Sequence, residues 1–178
     1  SKRDCGKDAD AVALAILDKR NRAFRVIYDT VVQVEGESGR RIHEILCRNL
    51  RKLCKAEWAS IALCDQEKGF MRLEAFDPGK TQCNPPAKLG TYIDLPKEVI
   101  AHYADEHIRE CEGKANCPIG CFCQYLLAPQ NTEGMGRCYR LSYVRDRELV
   151  ACAMIQLPVG ESIKLKDLIE VYLSTAGT

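Results

Sequence analysis

Apolar and polar residues follow helical spacing over several stretches of this chain. In residues 9–34 the apolar positions recur at intervals of four and three, a heptad-like seam that only Arg20 interrupts. Residues 40–55 carry their apolar side chains on one helical face. Residues 96–107 and 164–176 show the same periodicity over shorter lengths. The pattern therefore predicts a helix over each of these stretches.

Segments with strand character fill the intervals between these helices. Residues 59–64 and 70–76 are apolar or alternating, and the short polar turn between them predicts an antiparallel hairpin. Residues 139–144 and 149–157 form a second pair, joined by the charged turn 145–148. Paired strands with helices before, between and after them favour an α+β domain, in which helices flank a central antiparallel sheet.

Charge and hydrophobicity narrow the possible functions. The 178 residues include 26 Lys and Arg against 25 Asp and Glu, a formal net charge of +1. A general nucleic-acid binder needs a positive surface that replaces counterions, so we expect no nucleic-acid partner. The longest apolar runs, such as residues 11–17, are too short for a membrane span, so we expect no direct membrane insertion.

The chain contains eleven cysteines, an odd number. It opens without a signal peptide, and 178 residues can build a core without disulfides, so we expect a reducing, cytoplasmic location. Cys64 and Cys152 lie within apolar strand segments, where a thiol acts as a small hydrophobic group. The first residue is not Met, and we expect the sequence to belong to a longer protein.

Three stretches resemble GAF domains, the small-molecule sensing modules of signalling proteins. Residues 54–65 (CKAEWASIALCD) resemble the end of a family helix, its first strand and an acidic turn. Residues 141–153 (LSYVRDRELVACA) resemble its late hairpin, although the family usually has Gly near Ala151. Residues 163–170 (IKLKDLIE) resemble the start of its final helix. The resemblance extends over most of residues 38–176.

The resemblance implies a sensory domain within a longer regulator, such as a sensor histidine kinase of a two-component system. GAF domains are usually flanked by helices that pair into a dimeric bundle. The resemblance therefore implies an N-terminal linker or dimerisation helix over 1–37 and a GAF-like domain over 38–178. We expect a homodimer through the terminal helices, contacts with other domains of the same protein, and no catalysis within this chain.

Residues 108–138 interrupt the periodic pattern and concentrate thiols. We predict that five of these thiols bind a metal: Cys111, Cys117, Cys121, Cys123 and Cys138. Thiolate sulfur suits zinc or an iron–sulfur cluster, although paired Cys-x2-Cys motifs and ferredoxin spacings are both absent. Redox-active disulfides among the same thiols, and loop cysteines with no shared role, are the alternatives. GAF domains do not generally carry such a segment.

Haem is another possible cofactor. Cys117 precedes a proline, as in a haem-regulatory dipeptide, and His102 or His107 would be the second axial ligand. These histidines are five residues apart, whereas a helical zinc motif needs a four-residue offset. His43 lies beside the apolar face of its predicted helix, and we expect it to be structural.

The sequence thus predicts a sensory domain that detects redox state, a gas, or metal or cofactor occupancy through its cysteine-rich segment. One alternative is a GAF domain that binds a small organic ligand, such as a cyclic nucleotide, with the cysteines forming a structural zinc site. The other is a thiol-redox enzyme that uses two or three of Cys111, Cys117, Cys121 and Cys123.

Overall fold

A computed structural model of the protein describes residues 9–14, 40–105, 108–111 and 127–164. Residues 9–14 are helical and are called α1. The remaining elements follow in chain order: α2 (Arg40–Cys54), β1 (Trp58–Asp65), β2 (Phe70–Asp77), β3 (Tyr92–Asp94), α3 (Lys97–Asp105), β4 (Ile108–Glu110), β5 (Cys138–Arg145) and β6 (Glu148–Gln156).

The six strands form one antiparallel sheet in the order β3-β2-β1-β6-β5-β4. The two long hairpins, β1–β2 and β5–β6, meet at its centre, where Ile61 lies opposite Ala153. Both hairpins agree with the strands predicted from the alternating pattern. The predicted α+β class with a central antiparallel sheet is confirmed.

Helix α2 covers one face of this sheet. Its buried residues Leu46 and Leu50 pack in a single apolar cluster with Ile61 of β1 and Ile155 of β6. At the margin of this cluster, Arg51 Nε donates to Asp77 Oδ2 at 2.7 Å and ties the helix to β2. The predicted amphipathic helix therefore forms, and its apolar stripe lies against the sheet.

Helix α3 covers the opposite face. Its buried residues Val99 and Tyr103 belong to a second cluster with Trp58 of β1 and with Leu127. The helix begins after Pro96, a residue suited to the first helical turn, and is described as far as Asp105, since residues 106 and 107 lie outside the described residues. The short edge strands β3 and β4 were not predicted, and β4 lies within the segment expected to be irregular.

Two expected features lie largely outside the described residues. Of the predicted helix 9–34 the structure describes only 9–14, and of the predicted helix 164–176 only residue 164. The domain boundary after residue 37 and the dimer through the terminal helices therefore remain predictions. Among the described residues, no helix combines the length and the apolar character needed to cross a membrane.

Candidate functional site

The candidate site is the sheet face beneath α3. Trp58, Ser60 and Ala62 of β1 are buried on this face, and Arg140 and Ser142 of β5 continue it. Successive residues of a strand point to opposite faces, so these alternate positions form one surface. The surface combines the apolar Trp58 and Ala62 with the polar side chains of Ser60, Arg140 and Ser142.

Arg140 is the most unusual side chain of this surface, because it is only 1% exposed. Its Nη1 donates to the backbone carbonyl oxygen of Tyr103 at 3.2 Å and also to the hydroxyl of Ser142. Its guanidinium carbon lies 4.7 Å from the centre of the Tyr103 ring. The guanidinium is a positively charged group, and its contacts with Tyr103 and Ser142 hold it between β5 and α3.

A second group of polar contacts anchors the loop that follows the undescribed residues 112–126. Ser60 Oγ donates to the carbonyl oxygen of Leu127 at 2.8 Å. Trp58 Nε1 donates to Gln156 Oε1 at 2.9 Å, and Gln156 Nε2 donates to the carbonyl oxygen of Gly136 at 3.0 Å. The buried polar side chains of β1 and β6 are thus satisfied, and both ends of the loop are fixed to the sheet.

The structure brings together two of the predicted metal ligands. Cys111 directly follows β4 and Cys138 begins β5, and the backbone nitrogen of Cys111 donates to the carbonyl oxygen of Cys138 at 2.8 Å. Cys138 is buried and Cys111 is half-buried. The other three predicted ligands lie outside the described residues: Cys117, Cys121 and Cys123.

Of the three residues predicted to bind haem, one lies in the described part of the chain. His102 lies on α3, half-buried, with its ring centre 6.3 Å from that of Tyr103. Cys117 and His107 lie outside the described residues. Within the described part of the chain, no three or more His, Cys, Asp or Glu side chains are grouped as a metal site. The metal and haem ligands therefore remain predictions from the sequence.

Two other cysteines form a close pair that was not predicted. Cys64 Sγ of β1 lies 3.8 Å from Cys152 Sγ of β6 on the α3 face. The hydrogen bond with Cys152, together with burial, raises the pKa of the Cys64 thiol. Burial alone raises the pKa of Cys54 to about 12. The thiols of Cys54 and Cys64 are therefore protonated at neutral pH.

A charged group on the α2 side is separate from the candidate site. His43 Nδ1 lies 3.6 Å from Oε2 of the buried Glu74, which also bonds to Arg72. Burial lowers the pKa of His43, although the charge of Glu74 opposes that effect. The imidazole packs between helix and sheet, as expected of a structural residue.

Sequence reasoning did not identify Arg140. A charged residue within a strand normally indicates a solvent-facing position. Here helices cover both faces of the sheet, and the backbone of α3 supplies the carbonyl that Arg140 needs. The alternation in β5 does group Arg140 with Cys138 and Ser142, but the sequence pattern does not show that this side is buried.

Comparison with known proteins identifies the fold. The sequence matches no family model and no curated protein. The GAF domain of an Acinetobacter phosphoenolpyruvate-protein phosphotransferase is similar in structure, with a TM-score of 0.64 at 14% identity, over 88% of this chain and 91% of that one. The GAF domain of the Coxiella burnetii phosphotransferase ptsP gives 0.61 at 13% identity, over 87% and 88%.

The chromophore-binding domain of the bacteriophytochrome RpBphP3 from R. palustris is also similar. Its TM-score is 0.61 at 14% identity, and the match covers 88% of this chain but only 60% of that domain. These similarities confirm that the chain has the fold of a GAF domain. At such low identity they establish the fold and leave the ligand and the activity to be argued from the site.

Proposed function

We propose that this chain is a sensory domain that binds a small organic anion between α3 and the sheet. Binding of this anion would then change the activity of other domains in a signalling protein. The observation that supports this proposal is the buried guanidinium of Arg140, held on the face of the sheet that α3 covers.

A guanidinium in this position is suited to recognising an anion. Its planar arrangement of N–H donors matches a carboxylate or a phosphate, and such charge-assisted hydrogen bonds are stronger than neutral ones. Coulomb attraction also increases as water is excluded. An anion that enters beneath α3 would therefore gain most of its specificity at Arg140.

The structural similarities are compatible with an organic ligand. The R. palustris protein and a Stigmatella aurantiaca bacteriophytochrome of TM-score 0.60 and 12% identity are both described as chromophore-binding domains. The Acinetobacter and Coxiella burnetii structures described above are GAF domains of phosphotransferases. We extend to this chain only the general role of a ligand-binding regulatory module.

The contacts of Arg140 would transmit ligand binding to α3. Arg140 holds the carbonyl and the ring of Tyr103, so a ligand that draws the guanidinium toward itself changes the position of α3. A ligand shifts a conformational equilibrium only through differential contacts, and Arg140 would supply that difference. The helix movement would be the first step of the signal.

This proposal is tested by thermal denaturation against a panel of small carboxylates, phosphates and their neutral analogues. At saturation we expect an anion to raise the Tm of the wild type and to have no such effect on Arg140→Met, which keeps an unbranched apolar stem but loses the charge and the donors. Arg140→Lys should retain a smaller shift, because lysine keeps the charge without the planar donors. The control is Arg72→Met, which removes a half-exposed arginine from β2 and should leave the shift unchanged.

Two results would contradict the proposal. One is stabilisation of the wild type by neutral analogues to the same extent as by the anions. The other is a full ligand-induced shift in Arg140→Met.

A second function is supported by the contact between Cys111 and Cys138. Their backbone hydrogen bond of 2.8 Å brings together both ends of the cysteine-rich segment. We propose as the alternative that thiols of this segment hold a metal centre or form reversible disulfides, and that ligation fixes residues 108–138 to the sheet.

Metal analysis and an anaerobic absorption spectrum of the purified protein test this alternative. We expect bound zinc or an iron–sulfur absorption, lost in the double variant Cys117→Ser, Cys121→Ser and kept in Cys54→Ser, which changes a thiol of α2. Unchanged metal content and signalling in the double variant would contradict it.

A further inference from the structure

The close thiol pair Cys64 and Cys152 lies outside both the Arg140 site and the cysteine-rich segment. We propose that these two cysteines, with the thioether of Met71, bind a soft monovalent metal ion of the Cu(I) class. Met71 of β2 and Cys152 of β6 belong to the buried cluster on the α3 face of the sheet, and the half-buried Cys64 of β1, the strand between them, packs against that cluster. This site does not depend on the ligand proposed for Arg140.

The distance between the two sulfur atoms fits a shared metal ion. With metal–sulfur bonds of about 2.3 Å, the observed separation of 3.8 Å gives a sulfur–metal–sulfur angle of about 111°. That angle lies between tetrahedral and trigonal values. A soft ion can therefore bind both sulfurs without movement of the strands.

A direct disulfide fits the same positions less well. Cys152 lies opposite Ala62 in the β1–β6 register, so Cys64 is two residues away along the neighbouring strand. Diagonal neighbours of this kind have Cα atoms about 7–8 Å apart, whereas a disulfide requires less than about 7 Å. The pair is thus better placed to share a metal than to form a bond with each other.

Met71 supplies the third donor. It lies directly opposite Cys64 in the β1–β2 register and is fully buried. Directly opposed residues have Cβ atoms about 4.5–5.5 Å apart, within reach of a flexible thioether. Thiolate and thioether donors together select soft ions such as Cu(I) over Mg²⁺ or Ca²⁺. The half-buried position of Cys64 leaves one side of the site open to solvent.

Binding is a proton-for-metal exchange without a change of oxidation state. Cu⁺ displaces one proton from each thiol, two Cu–S(thiolate) bonds form, and the two protons leave to solvent. Met71 adds a neutral sulfur donor. Because two protons are released when the ion binds, we expect the apparent affinity for Cu(I) to rise with pH.

Alkylation kinetics of Cys64 test the proposal in the full chain. Trypsin releases residues 56–68, in which Cys64 is the only cysteine, so mass spectrometry follows this thiol separately from the cysteine-rich segment. Cu(I) is added anaerobically in excess over all eleven cysteines before N-ethylmaleimide. At a free Cu(I) concentration of ten times Kd, we expect alkylation of Cys64 to slow by about tenfold.

Three variants identify the ligands. Cys152→Ala should abolish the protection of Cys64, because one thiolate is lost, and Met71→Leu should weaken Cu(I) binding several-fold while preserving side-chain volume. Cys54→Ala removes a thiol of α2 and should retain full protection. A cooperative thermal transition shows that each variant is folded.

The proposal is overturned by any of three results. One is unchanged alkylation of Cys64 in the wild type, and another is full protection in a folded Cys152→Ala variant. The third is a disulfide between peptides 56–68 and 148–164 in protein that was prepared reduced and exposed only to air, since the diagonal geometry argues against that bond.

Discussion

At the scale of single residues, Gly136 is a position where the fold has no room for a side chain. A Cβ atom there would lie 2.4 Å from the carbonyl oxygen of Pro158 and 2.7 Å from that of Leu157. Both contacts are to backbone, which cannot turn away as a side chain can. We expect Gly136→Ala to lower the free energy of unfolding by about 2–3 kcal/mol, measured by urea denaturation.

Gly134 provides the matched control for this prediction. A Cβ atom at Gly134 would meet nothing within 4 Å, but its φ of +79° is strained for residues with a side chain. Gly134→Ala should therefore cost only about 1–2 kcal/mol. If the two variants lost the same stability, crowding at Gly136 would not be the cause.

The individual residues of the sites were harder to predict than their environment. The apolar runs indicate correctly that Cys64 and Cys152 are inside strands, but these residues are 88 positions apart in sequence. Their contact depends on the pairing of β1 with β6, which no local pattern specifies. The burial of Arg140 likewise depends on α3, which contacts it through Tyr103, 37 residues earlier in the sequence.

At the scale of elements, the β5–β6 turn lies where the sequence predicts it, but its central residues are not the ones that such a turn favours. Its two central residues, Asp146 and Arg147, have φ values of 51° and 68°. Two-residue hairpin turns of this type favour Asn-Gly. We expect the double variant Asp146→Asn, Arg147→Gly to stabilise the protein by about 0.5–1 kcal/mol in chemical denaturation, because it relieves the left-handed strain at Arg147.

The control for the turn is the double variant Asp146→Asn, Arg147→Ala. It removes the same two charges but keeps a Cβ atom at the positive φ of residue 147, so it should give no gain in stability. An equal gain in both variants would assign the effect to charge. A loss in the Asn-Gly variant would show that the Arg147 side chain makes a stabilising interaction.

The elements that the sequence predicts are those with at least two periods of pattern. Helix α2 and the four long strands each have eight residues or more, enough for a helical or alternating period to appear. Strands β3 and β4 have three residues each and are defined by pairing with β2 and β5. Such edge strands are a property of the assembled sheet.

At the scale of the whole molecule, the two faces of the sheet differ in chemistry. The α2 side is a mainly aliphatic cluster around Leu46, Leu50 and Ile155, which also includes Tyr139 and Cys47. The α3 side combines aromatic and sulfur-containing residues with Arg140. The order of elements predicted this architecture through its resemblance to GAF domains.

Residues 1–37 are proposed to be a linker or dimerisation helix outside the folded domain. The two core clusters of the described residues lie between positions 42 and 163, within the proposed GAF-like domain 38–178. We expect a shortened chain, residues 38–178, to keep a cooperative thermal transition. Its Tm should stay within about 4 °C of the full chain, which corresponds to about 1 kcal/mol for a domain of this size.

The same shortening should change the oligomeric state. If the seam of residues 9–34 joins two chains, the full chain sediments as a dimer and its Tm rises with protein concentration, whereas residues 38–178 sediment as a monomer. Leu17→Asp in the full chain puts a charge into the seam and should give the same monomer without any deletion. A dimer of residues 38–178 would place the interface elsewhere, and loss of the cooperative transition would make residues 1–37 part of the folded domain.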